Sequence, residues 1–354
     1  MSDINYYISF VVATRNDDHG ENMFYKNQYF IDRWAYLVKK FNLSSELIIV
    51  EWNPPEDRPK LVNQLKIPNL GNNQKIKFIT IPNSVHKKFK NSEKLNFFQM
   101  IAKNVGIRKA EGKFILCTNI DIIFSDEIIE FLSKKELKLN TIYRTDRYDI
   151  DFDDFQNIKI DTNKLKSDLT FIHKSDFTID IKNKKKYYTK LGWKYLFEKI
   201  YESLIKKNQK IQDDQKRIER KKFFEKLKYV YNYIYNMYFK NLHTNACGDF
   251  TLCSKEIWIK CGGYYEFEGY SFHIDSLFLW SGYLQKFNFN FLNFKIFHIN
   301  HTIGSGFSYG NTELETRLNK SKIPFIENYE IPNYIKLMKE KKIINSEDWG
   351  QHYD

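Results

Sequence analysis

The chain alternates between unbroken apolar runs and stretches in which apolar residues return every three or four positions. The first kind predicts buried strands, the second amphipathic helices. "YYISFVVAT" at 6–14 is a β-branched apolar run, followed by the polar "RNDDHGEN". Between 23 and 42, Phe24, Tyr29, Phe30, Trp34, Leu37, Val38 and Phe41 keep helical spacing. "ELIIVEW" at 46–52 predicts a second strand, stopped by Pro54 and Pro55, and "IKFITIP" at 76–82 a third. Residues 95–110 read as a helix and "GKFILCTNID" at 112–121 as a fourth strand. A further helix is expected at 126–134, with Ser125 in position to cap it. Such alternation through residue 140 predicts an open α/β sheet with right-handed crossovers.

The pattern then changes. Residues 141–181 are rich in Asp, Asn, Thr and Tyr with little period, and read as connecting loops and short strands. Within 182–242, Trp193, Leu196, Phe197, Ile200, Leu204 and Ile205 keep helical spacing, as do Phe223, Phe224, Leu227, Val230, Ile234 and Met237. "KKNQKIQDDQKRIERKK" separates them, so the segment reads as a basic helical insertion, a hairpin of two amphipathic helices. Residues 243–310 combine a strand, a short helix and a Gly-Gly turn in "CGDFTLCSKEIWIKCGGYYE" with a helix in "HIDSLFLWSGYL" and an alternating strand in "FNFLNFKIFHINH". The polar segment 311–354 carries no assignable period, and no internal repeat is visible.

Composition narrows the function classes. A chain of 354 residues, 42% hydrophobic and 17% aromatic, can bury a large core. Its net charge is +12, and residues 182–240 hold 18 Lys and Arg against 6 Asp and Glu, so the whole excess sits in one segment. A uniformly basic nucleic-acid binder would not look like this, and no nucleic-acid partner is expected. The same segment carries 14 aromatic residues, which suits an anionic membrane surface or an ordinary helical pair with solvated lysines. Cys117, Cys247, Cys253 and Cys261 have no zinc spacing and read as reduced thiols. No basic start with an apolar run opens the chain, and no stretch reaches the ~18 apolar residues of a membrane span. A cytoplasmic protein, peripheral at the inner face of the membrane, is the resulting expectation.

In an open α/β sheet, ligands bind beyond the carboxyl ends of the strands. Thr14, Arg15 and Asn16 stand at the end of the first strand, Glu51 at the end of the second, and Asn119 and Asp121 at the end of the fourth. The preceding helix adds Lys103, Asn104 and Arg108, the last two on one face. Ser125 is the better-placed helix cap, so Asp121 is not needed for that task.

"SFVVATRND", "LIIVEWNPP" and "AKNVGIRKAEGKFILCTNID" together resemble the nucleotide-sugar half of a GT-A glycosyltransferase, most like glycosyltransferase family 2 and its relatives. Asn104, Gly106 and Gly112 match the family's helix and Gly turn, and Asn119-Ile120-Asp121 its D-x-D motif. "GDFTLCSKEIWIKCGGYYEF" resembles the later strand-helix-Gly-Gly segment, "HID" at 273–275 the x-E-D catalytic motif, and "FHINH" at 297–301 the segment that supplies a metal-ligating His. The resemblance covers 6–132 and 246–305. Asn119 replaces the first Asp of D-x-D, and Ile274 the Glu of x-E-D.

The resemblance implies a GT-A, Rossmann-like mixed sheet flanked by helices. It implies an enzyme that moves a sugar from a nucleotide-sugar donor to a hydroxyl, on a surface glycan or a lipid-linked acceptor. Mn²⁺ or Mg²⁺ would be held by Asp121 and His298, with His301 in reserve. Asp275 would be the base, giving inversion, although an Asp before "SLFLW" also suits a helix N-cap. His298 and His301 equally suit structural roles. Thr14, Arg15, Asn16, Glu51, Lys103, Asn104, Arg108, Asn119 and Asp249 would contact the nucleotide sugar. A fold retained as a non-catalytic binding module is the alternative.

Overall fold

The computed structural model describes residues 6–17, 22–175, 177–188, 242–301, 313–327, 330–341 and 344–352. The apolar runs of the first part are strands β1 (Ile8–Thr14), β2 (Ser45–Trp52), β3 (Gln74–Ile81) and β4 (Phe114–Cys117). They pair in parallel in the spatial order β3-β2-β1-β4. Between them lie α1 (Met23–Lys40), the short α2 (Leu61–Gln64) and α3 (Asn83–His86), and α4 (Gln99–Lys109). Then follow β5 (Ile122–Phe124), α5 (Asp126–Ser133) and β6 (Thr141–Ile150). As expected, the Ser125 hydroxyl accepts the Ile128 amide and caps α5.

A 3₁₀ turn at Thr162–Asp168 leads to the antiparallel extension β7 (Leu169–His173), β8 (Phe177–Asp180) and β9 (Lys185–Tyr188). After a 3₁₀ turn at Cys247–Asp249 come β10 (Thr251–Ser254), α6 (Lys255–Cys261), α7 (Ile274–Leu284) and β11 (Asn288–Ile299). Helices α8 (Glu313–Lys320) and α9 (Ile331–Lys341) follow. β10 lies antiparallel between β4 and β6, so the sheet is mixed. β11 runs parallel to β6 along its length and pairs antiparallel with β5.

Strand periodicity assigns the two faces. Phe10 and Val12 of β1 join Trp34 of α1 and Ile129 of α5 in one core. Val11 and Ala13 join Val105 of α4, Trp258 of α6, Phe278 of α7 and Met338 of α9 in the other. Gly106 permits the close approach of α4: a Cβ there would lie 2.5 Å from Val11 Cγ1.

Four expectations change. Residues 141–150, read as loops and short strands, form one strand of 10 residues whose period is masked by Arg144, Asp146, Arg147 and Asp149, all engaged with charged or backbone partners. The fourth strand ends at Cys117 rather than 121: the Thr118 amide still donates to Val11 O of β1 while its hydroxyl donates to Asp249 O, and the chain turns at Ile120. The polar last segment contains two amphipathic helices. Most of the expected basic insertion lies outside the described residues; its start, 182–188, is a turn and β9 rather than helix. Among the described residues, no helix is long and apolar enough to cross a membrane.

Candidate active site

The strand order reverses beside β1 and β4, which is where an open sheet leaves a crevice at its carboxyl edge. The antiparallel β10 enters at the same edge, since Thr251 pairs with Cys117. Asp249, just before β10, is thereby brought beside Asn119, just after β4. Asn119 Nδ2 donates to Asp249 Oδ1 at 2.5 Å. Its Oδ1 accepts from Lys103 Nζ at 2.6 Å and from Gln99 Nε2 at 3.0 Å. Lys103 also donates to Gly248 O at 2.9 Å. The other oxygen of Asp249 pairs with Arg147 Nη1 at 2.6 Å. Lys103 is fully buried; burial pushes its ammonium pKa down, while the Cys117 thiol and the carboxylates of Asp249, Asp275 and Asp121 pull it back up.

Asp121 heads a second group. In the sheet register Ile122 of β5 pairs with His298 of β11, and His298 with Asp149 of β6. His298 Nε2 lies 3.4 Å and His301 Nε2 3.6 Å from Asp121 Oδ2. The candidate ligand atoms of the three residues fall within 4.8 Å of one another. Burial by itself would raise the Asp121 pKa, but His298, His301 and Lys26 outweigh it and hold the carboxyl well below its usual range. For His298 burial acts against the imidazolium, and Asp121 overrides it, raising the pKa. On the far side of His298, Asp149 meets Arg147 and His173.

The three-residue set fits a divalent cation on one internal observation. Asp121 Oδ1 is buried and has no hydrogen-bond partner, although its other oxygen faces two imidazoles. An orphaned buried carboxylate oxygen is costly unless something occupies it. One carboxylate with two imidazoles is a donor set that Mn²⁺ accepts.

Asp275 reaches the same edge from another element. His273, in a left-handed conformation, holds the N-cap position of α7, so Asp275 is in the first turn and is not the cap. Its Oδ1 accepts the Ser276 amide at 2.8 Å. Its Oδ2 packs against Gly248: a Cβ there would lie 3.0 Å from it, a tight contact. Lys103 links the two segments, since it bonds Asn119 near Asp121 and Gly248 O beside Asp275.

The remaining expected residues are engaged elsewhere. Both oxygens of Glu51 accept the Leu61 amide, at 3.0 and 3.1 Å, and cap α2. Asn16 donates to Pro59 O and Gln64 Oε1, and Arg15 to Asn53 O. Asn104 is buried, donating to Tyr264 O and Glu266 Oε1 and accepting the Tyr264 amide. Arg108 donates to Trp349 O and Glu347 O and lies over the Trp349 ring, binding the C-terminal segment instead of facing solvent. Thr14 is buried with an unpartnered hydroxyl. Pattern reading missed Arg147, Asp149 and His173. The signal was present: positions 147 and 149 are two apart and share a strand face.

No protein-family model matches the chain, and no curated protein is significantly similar to it.

Proposed function

We propose that the chain is a glycosyltransferase of GT-A type. It moves a sugar from a nucleoside-diphosphate sugar to a hydroxyl of a glycan or lipid-linked saccharide, inverting the anomeric centre. The observation that carries this reading is the meeting of remote segments at the carboxyl edge of the parallel strands: Lys103 bonds Asn119, two residues before Asp121, and also Gly248, against which Asp275 Oδ2 packs. In this reading Asp275 accepts the acceptor's hydroxyl proton as the oxygen attacks, and the nucleoside diphosphate leaves from the opposite side. Oδ1 is occupied by the Ser276 amide, so Oδ2, which lies beside Gly248, would be the basic atom. A divalent cation held by Asp121, His298 and His301 would supply the charge compensation that a leaving diphosphate requires. Lys103 fixes Asn119 and Gly248 relative to each other, and so keeps the two halves of the crevice in register.

A second reading keeps the crevice as a binding module without transfer. The state of Asn119 favours it: its Oδ1 accepts from both Lys103 and Gln99, and one of its two Nδ2 hydrogens goes to Asp249. The two readings separate in one assay. Purified protein is incubated with UDP- and GDP-sugars, Mn²⁺ and a panel of saccharide acceptors, and released nucleoside diphosphate is measured. Transfer that disappears in Asp275→Asn supports the enzyme; nucleotide binding without release of diphosphate under any condition supports the module.

A further inference from the structure

We infer that Asp149 is a positioning residue for the cation site: it receives the Nδ1 proton of His298 and so commits the opposite nitrogen, Nε2, to the ion. The inference rests on the cation reading of Asp121, His298 and His301. Its basis is a pair of orphaned atoms. His298 Nδ1 and Asp149 Oδ1 are both buried, and neither makes a hydrogen bond. They face each other at 3.5 Å, just beyond bonding distance. Arg147 Nε stands 2.8 Å from the same oxygen but outside hydrogen-bond geometry.

The architecture leaves His298 one way to serve both neighbours. Parallel pairing of β11 with β6 fixes His298 opposite Asp149, and antiparallel pairing with β5 sets it beside the turn that carries Asp121. Nε2 is the nitrogen that faces Asp121 Oδ2, and Nδ1 the one that faces Asp149. A neutral imidazole has one N–H and one lone pair. Directing the N–H toward Asp149 leaves the lone pair on Nε2, beside Asp121 and His301. With an ion held there, Nε2 would supply the ligating lone pair and the N–H on Nδ1 would point at Asp149.

Asp149 is suited to this task because its charge is held in place. Its side chain is only 8% exposed. Arg147 Nη2 donates to Asp149 Oδ2 at 3.1 Å, and His173 Nε2 lies 3.0 Å from that oxygen. Arg147 reaches on to Asp249, which holds Asn119. The Asp149 carboxylate therefore stays fixed on one side and keeps Oδ1 toward His298 on the other. A ligating imidazole whose second nitrogen is anchored on a carboxylate is a recurrent way of fixing the tautomer of a metal ligand.

The test uses Co²⁺ and Mn²⁺ alone, without nucleotide. Titration of the full chain with Co²⁺, followed by visible absorption, and with Mn²⁺, followed by electron paramagnetic resonance, gives the affinity. Asp149→Asn keeps the shape but loses the charge, and is expected to weaken binding about 10- to 100-fold. Unchanged affinity in a folded Asp149→Asn protein overturns the inference while leaving the cation site standing. Absence of binding in the unsubstituted chain overturns both together. Should Asp149→Asn fail to fold, ¹⁵N correlation spectra of the unsubstituted protein with diamagnetic Zn²⁺ decide. The inference requires the proton of His298 on Nδ1 and the ion on Nε2; the reverse arrangement overturns it.

Discussion

Two parts of the carboxyl edge of the sheet look alike in sequence and behave differently in the fold. Past β1 and β2, the polar residues Arg15, Asn16 and Glu51 bind backbone groups or an amide nearby. Glu51 stabilises the start of α2, and Asn16 ties β1 to the same segment. Just beyond β4, Asp121, and in the last residues of β6 and β11, Asp149 and His298, each keep a buried polar atom with no hydrogen bond; of Thr14, Arg15, Asn16 and Glu51 at the first edge, Thr14 alone does the same. Polar residues at strand ends are thus of two kinds. Some complete the hydrogen bonding of the loops they begin. Others are held by the sheet facing one another with unfilled capacity, and a ligand is the natural completion of that second arrangement.

The sharpest way to break this contrast is at Asp275. Asp275→Asn should lower transfer about 10²- to 10⁴-fold, the range of a lost general base, with nucleotide affinity retained. Retained transfer, read as diphosphate release, would show that the base lies elsewhere. Asp121→Asn comes next. Losing a ligand should weaken Mn²⁺ binding by at least the about 100-fold upper range for an outer-sphere change, measured by the same titration. At the other edge, Glu51→Ala should leave the Mn²⁺ titration unchanged. It should still cost about 1 to 2 kcal/mol of stability by denaturant unfolding, because it leaves the Leu61 amide without its acceptor. A loss of cation affinity there would erase the distinction between the two edges.

The smallest effect concerns pH. The carboxyls of Asp121 and Asp149 are held below their usual range, against burial, by His298 and Arg147 respectively, with further help from neighbouring imidazoles. Their folded pKa values lie below the unfolded value of about 3.9, so the stability they contribute is present above that value. It is lost as pH falls below about 4 toward the depressed folded values. Thermal melts between pH 2 and 6 should fall on the acid side, and less steeply in Asp149→Asn. Parallel acid limbs would contradict the sign assigned to this pair.

Much of the frame was legible in the sequence because burial on both faces leaves a strong signal. β1, β2 and β4 are runs of Val, Ile, Leu and Phe, and α1 repeats its apolar residues at helical spacing. Asp121, Asp249, Asp275 and His298 stood out because short motifs carry them. β6 did not, since eight of the ten residues of "TIYRTDRYDI" are charged or hydroxyl-bearing and its partners come from distant strands. Arg144 illustrates the reason: it is fully buried only because the carbonyls of His243, Asn245 and Cys247 receive its guanidinium. Long-range satisfaction of that kind is invisible to local pattern. For the same reason the partners of Asn104 and Arg108, namely Tyr264, Glu266 and Trp349, could not be read from the sequence.

Calorimetric titration of UDP and GDP into the chain and into Asp121→Asn, each with and without Mn²⁺, tests the central claim most directly. The account predicts that one nucleotide binds the unsubstituted chain and binds it more tightly with Mn²⁺, and that Asp121→Asn abolishes the Mn²⁺ enhancement. Absence of binding by either nucleotide with the ion present, or an enhancement that survives in Asp121→Asn, would contradict it.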